Sequence, residues 1–118
     1  MKATFIQPGN AIEYKNTGST TIKYGSIVKL GADRVGIAAS DIPVSEIGTL
    51  HLCGVFTCPK VSGAITLGAK LYYLEASDKL TTVASQTVSE ATVSNNPVGW
   101  AVAAAASGDA NVTVKLNG

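Results

Sequence analysis

One arginine, one histidine, one methionine and one tryptophan are all that these 118 residues hold of those four types, and only two residues are cysteine. Charge is scarce as well. Asp, Glu, Lys and Arg together make up 14% of the chain, against roughly 25% in an average globular protein. Nine basic side chains against eight acidic ones leave a net charge of +1. The basic residues (Lys2, Lys15, Lys23, Lys29, Arg34, Lys60, Lys70, Lys79 and Lys115) are scattered, with no run among them. Displacing counterions from a phosphate backbone needs clustered Lys and Arg, so the pattern argues against nucleic acid as the main partner. No segment approaches the length of a membrane span; the longest apolar stretch, Trp100 to Ala106, is short and mostly alanine. The opening KATFIQPG lacks the apolar stretch of a secretory signal, so synthesis in the cytoplasm is expected, with no membrane partner. Cys53 and Cys58 stand as C-x4-C with no His or further Cys beside them, which is not a zinc pattern. Reduced thiols packed as small hydrophobes are expected there.

What is present is a moderately apolar chain, 46% hydrophobic, of a size suited to one domain spanning residues 1–118. Strand signals are short and frequent. Thr4-Phe5-Ile6, Ala11 to Tyr14, Thr20 to Tyr24, Ser26 to Leu30 and Val35 to Ala38 come first. A longer stretch, Gly48 to Cys58, reads as one strand with a bulge or bend at Gly54. Lys70 to Leu74, Leu80 to Val83, Val98 to Ala103 and Val112 to Leu116 complete the set. Turn residues punctuate these runs at intervals typical of a β-sandwich or small barrel. Helix signals are thin: Ala101 to Ala106 reads as strand then turn, and Ser89 to Thr92 as a helical turn at most. The expected class is all-β, a small barrel or sandwich with an extended N-terminal arm over residues 1–10.

The most informative feature is an internal repeat. Val35-Gly36-Ile37-Ala38 returns as Val98-Gly99-Trp100-Ala101. Each word passes through a turn carrying an acid and ends on an alternating strand, Leu50-His51-Leu52 in one case and Val114-Lys115-Leu116 in the other. Upstream, Gly25 and Gly68 each open an apolar strand, and Asp33-Arg34 and Asp78-Lys79 mark the hairpin tips. Residues 25–54 and 68–118 are thus expected to be two hairpin units closing one barrel or sandwich. Ala84 to Pro97 is Ser/Thr/Asn-rich and nearly uncharged, and reads as a polar insertion loop in the second unit.

Chemical motifs fail in definite ways. Gly63 to Lys70 approaches a P-loop, but the lysine is one place late and Leu71 stands where a magnesium-holding hydroxyl is needed. A β-turn leading into a strand is expected instead. His51 and Cys53 share a strand face, the one nucleophilic pairing available to a small hydrolase, yet no third group or oxyanion loop accompanies them. Nearly all the acids fall at expected turns, with no calcium-loop spacing. Asn111-Val112-Thr113 matches a glycosylation sequon but lies in an expected strand. Phe5, Phe56, Tyr72, Tyr73 and Trp100 are expected to pack in the core. A stacking platform for single-stranded nucleic acid would need basic residues interleaved with them, and only Lys70 beside Tyr72 comes close. No catalytic residue, metal ligand or cofactor is expected.

Taken in order, the words MKATFIQPGNAIEY, VGIAASDIPVSEIGTLHLCGVFTCPK, AITLGAKLYYLEASDKLTT and VGWAVAAAASGDANVTVKLN resemble the capsid cement, or decoration, proteins of tailed bacteriophages. The resemblance runs from Met1 to Asn117, with Ala84 to Asn96 outside it. It departs from the family pattern at Ser45, where a glycine commonly precedes the acid, and so puts the turn at Val44 to Glu46 in question. It implies a β-rich structural protein, often a trimer, that binds the outside of the assembled capsid and stabilises it. The expected partners are therefore the major capsid protein and further copies of this chain, and the expected location is the virion after synthesis in the bacterial host. Members have also carried a "predicted recombinase" label, which makes a nucleic-acid-binding accessory of phage recombination the alternative function. The expected contact residues are the arm, Met1, Lys2, Ala3, Thr4, Phe5, Ile6 and Gln7, and the insertion residues Val88, Ser89 and Thr92. An arm of this kind can add a strand to a partner's sheet edge.

Overall fold

In the computed structural model, residues 1–6, 9–31, 33–88 and 91–117 are described. Eleven strands form: β1 Ala11–Lys15, β2 Ile27–Leu30, β3 Arg34–Ala38, β4 Ile47–His51, β5 Gly54–Pro59, β6 Lys70–Leu74, β7 Lys79–Thr81, β8 Ser85–Val88, β9 Ala91–Ser94, β10 Asn96–Ala101 and β11 Asn111–Leu116. No helix occurs among the described residues. Two antiparallel sheets carry the fold, ordered β1-β4-β3-β2 and β5-β11-β10-β6-β7, and β8 and β9 make a separate two-stranded ribbon. The sheets do not close into a barrel; the arrangement is a sandwich.

Alternation decides which side chains enter the core. On β3, Val35 and Ile37 point at the five-stranded sheet and join the larger cluster with Leu71, Val98, Val114 and Leu116. Ala38 points the other way, into a smaller cluster with Val28, Ile42 and Leu50. β3 and β10 meet where the sheets face each other. Two asparagines stitch that junction. The Asn96 amide donates to the carbonyls of Gly31 and Arg34 at 2.8 and 3.0 Å. The Asn117 amide donates to those of Val35 and Leu52 at 2.9 and 2.7 Å. Each buried carbonyl reached in this way escapes the cost of desolvation without a partner.

The first four strands of each sheet share one plan. Ala38 lies opposite Leu50 across β3 and β4, as Ala101 lies opposite Val114 across β10 and β11. The Gly25 N–H donates to Ala38 O, and the Gly68 N–H to Ala101 O. Both glycines sit at positive φ, 80° and 85°, where a Cβ is strained. Isolated bridges join Ile22 to Ile42 and Ile65 to Ala105.

Four local expectations need correction. Thr4-Phe5-Ile6 forms no strand and pairs with no other described residue, because an isolated β-rich triplet has no ladder to join. Thr20 to Tyr24 contributes only the Ile22 bridge. Gly48 to Cys58 is two strands rather than one bent strand: β4 ends at His51, β5 begins at Gly54 with φ 121°, and the chain changes sheet between them. Ala84 to Pro97, expected as a loop with at most one irregular strand, carries two paired strands. β8 and β9 pair from Ser85 opposite Ser94 to Val88 opposite Ala91. The Asn95 amide closes its base by donating to Val83 O at 3.0 Å. The β-favouring pairs Thr87-Val88 and Thr92-Val93 favour strand over loop.

Candidate interaction surface

The N-terminal arm is the most exposed part of the described chain. Residues 1–6 are all solvent-exposed, and none hydrogen-bonds to another described residue. Phe5 and Ile6 leave 81% and 82% of their surfaces in water. Phe5 is therefore not the core aromatic its strand-like context suggested. Burying such side chains against a partner is favourable at about 25 cal/mol per Å². Of the other expected contacts, Thr92 is exposed on β9 and Val88 ends β8, while Gln7 and Ser89 lie outside the described residues. No hydrogen bond between described residues brings arm and ribbon together.

Sequence reasoning missed further exposed apolar residues. Tyr24 and Leu67 stand just before the turn glycines Gly25 and Gly68, and are 73% and 65% exposed. Ile47, Val55 and Val83 are exposed as well. The first two were findable, since each precedes a glycine at the same place in the repeated pattern. Scattered surface apolar residues are ordinary in themselves.

Other aromatics divide between interior and surface. Tyr73 is buried, and its hydroxyl donates to an Asp78 carboxylate oxygen at 2.6 Å. Burial first, and then that carboxylate, push its pKa well above the usual phenol value. Trp100 and Tyr72 are only half-buried. The Lys70 ammonium lies 5.5 Å from the centre of the Tyr72 ring.

Groups with chemical potential have identifiable neighbours. The exposed Cys53 thiol donates to Asn10 Oδ1 at 3.5 Å, and the His51 ring lies 5.8 Å from that of Phe56. Both cysteines are free, and burial pushes the Cys58 thiol pKa up, which disfavours the reactive thiolate. The near-P-loop segment opens strand β6 rather than a helix. Lys60 is buried, with its ammonium donating to Gly63 O at 2.8 Å and Val61 O at 3.3 Å, so its hydrogen bonds close a loop. Among the described residues no three His, Cys, Asp or Glu side chains group to hold a metal. No helix is long and apolar enough to cross a membrane.

An unpaired apolar arm on an all-β body is what an interaction protein offers. A family model described as phage cement protein matches residues 6–116, nearly the whole chain. The chain belongs to the phage cement protein family. That membership gives it a capsid-associated, structural role in the phage. No curated protein and no solved structure matches this cement protein.

Proposed function

We propose that this cement protein binds the outer surface of the assembled phage capsid and stabilises it by bridging neighbouring coat subunits. The family match over residues 6–116 carries the reading. Low charge and an exposed apolar arm support it, since many weak contacts repeated by symmetry add through multivalency. The active form is a homotrimer, made in the bacterial host and carried in the virion. Its role is structural rather than enzymatic.

In this reading the arm, residues 1–7, is the primary contact and the ribbon around Val88 and Thr92 a secondary one. The body is a duplicated unit, with β1-β4-β3-β2 and β5-β11-β10-β6 as its two copies and the ribbon inserted in the second. Co-sedimentation with purified capsids tests the contact assignment. The full chain is expected to pellet with capsids, and a chain lacking residues 1–7 to bind them at least about tenfold more weakly. Equal binding by both would remove the arm from the interface.

A further inference from the structure

Between the turn that joins β2 to β3 and the β10 strand lies a cleft of about 390 Å³. Asp33 and Arg34, Lys70 of β6, Val98 and Trp100 of β10, and Asn117 are among the residues that line it. The register explains why these side chains converge. Trp100 lies opposite Lys70 on one side and Lys115 on the other, so the three share one face of the sheet. Where the first repeated word has Ile37, the second has Trp100, and the strand positions beside them are Ile27 and Lys70. The second sheet has exchanged an apolar pair for an aromatic and a cation.

The cations of the cleft have internal neighbours, the Tyr72 ring for Lys70 and a backbone carbonyl for Arg34, but no carboxylate. Arg34 Nη1 donates to the Asp33 backbone carbonyl at 2.8 Å rather than to a carboxylate. The one ion pair among the described residues, Lys29 with Glu75, lies elsewhere. Arg34 and Lys70 are thus without a carboxylate partner among the described residues, in a chain whose net charge is only +1. Asp33 is the single acid in the lining. Arginine and tryptophan are the side chains that most often carry binding energy at protein interfaces. Volume and charge together select the occupant. A few side chains of an extended acidic segment fit such a space. A single-stranded nucleic acid needs a long basic track with repeated stacking rings, which one tryptophan and two separated cations do not make.

We infer that this cleft receives an acidic peptide segment of the protein partner, with carboxylates set against Arg34 and Lys70 and the Trp100 ring covering the stems between them. The inference rests on the capsid-binding reading for the identity of that partner, and on the cleft alone for its chemistry.

Trp100 is the only tryptophan, so its emission reports the cleft directly. The full-length protein is titrated at low salt with an end-blocked hexaglutamate peptide, with hexalysine and with oligothymidylate. A saturable change in emission is expected with hexaglutamate alone. It should weaken about tenfold or more in the Arg34→Ala/Lys70→Ala variant, whose unfolding temperature should match the parent because both side chains are exposed. No saturable change, or equal affinity in the variant, overturns the proposal, as does tighter binding of oligothymidylate. Capsid co-sedimentation separates this inference from the reading beneath it. If the parent binds capsids and the folded variant binds equally well, the cleft is not the docking site and capsid binding stands. If the parent binds no capsids, the capsid reading falls while the peptide titration still judges the cleft.

Discussion

The four-stranded sheet and the first four strands of the five-stranded sheet are laid on one hydrogen-bond frame but filled with different side chains. Gly48 lies so close to Ile42 that a Cβ would overlap its Cγ1. At the corresponding places the other sheet has Val112 and Ala105, with the large residue moved to the opposite partner. Volume is conserved while its location is exchanged, which is what a close-packed core tolerates. A second contrast sits at the strand ends. Asn16 is buried and donates to Thr20 O and Ile42 O at 2.8 and 2.9 Å. Lys60, at the end of β5, is buried and donates to Val61 O and Gly63 O. Both donors satisfy a carbonyl of the loop that follows, and Asn16 alone also reaches a remote one, Ile42 O. The third contrast, Ile27 and Ile37 against Lys70 and Trp100, follows burial: the isoleucines pack in or against the larger core cluster, while Lys70 is exposed and Trp100 half-buried.

The glycines shared by both repeated words offer the sharpest way to break the comparison. A Cβ on Gly99 would fall on the Lys115 carbonyl, which is backbone and cannot move aside. A Cβ on Gly36 would meet the Leu50 side chain at 3.1 Å. Gly99→Ala is expected to destabilise the protein by about 3 kcal/mol or more, and Gly36→Ala by about 1 kcal/mol, measured by urea unfolding. Equal effects would show that the two words do not differ in backbone approach. The volume exchange comes next. Gly48→Val should cost about 2 kcal/mol, and adding Ile42→Ala, which copies the other sheet, should restore at least half of it. A double variant no better than the single one would mean that the two cores are packed on different principles.

A smaller effect distinguishes the sheets by pH. The Tyr73 pKa is higher in the folded chain than in the unfolded one, where phenols titrate near about 10. Its contribution is therefore full below about pH 10 and is lost as the pH rises toward the folded value, by up to about 1.4 kcal/mol per pH unit. Tyr73→Phe should flatten that decline in a pH series of thermal melts. The smallest change expected is a gain. Ser45 adopts φ 68°, a left-handed conformation that suits glycine, so Ser45→Gly should raise stability by about 0.5–1 kcal/mol.

Much of the sandwich can be read from residue order, for reasons that also mark where the reading stops. The words around Val35 and Val98 combine a buried valine, a glycine under close approach and a buried alanine, so strand and repeated word coincide. The tips at Asp33 and Asp78 are legible because an acid beside a basic residue interrupts the alternation. Alternation names the face of a strand but not its sheet, which is why the change of sheet between His51 and Gly54 looked like a bend. Pairing partners are remote, so nothing local distinguishes Thr4 to Ile6, which finds none, from Ala11 to Lys15, which finds β4. Of the exposed apolar surface, only the arm residues Met1, Phe5 and Ile6 are singled out by the sequence. The cleft unites residues from 33 to 117 and needs the register of three strands to appear.

Electron microscopy of purified, undecorated capsids mixed with this cement protein tests the functional account most directly. The account predicts added density on the outer capsid surface at symmetry-related positions, together with greater resistance of the decorated shell to heat. Bare capsids indistinguishable from the untreated ones, at protein concentrations far above those of the coat subunits, would contradict it.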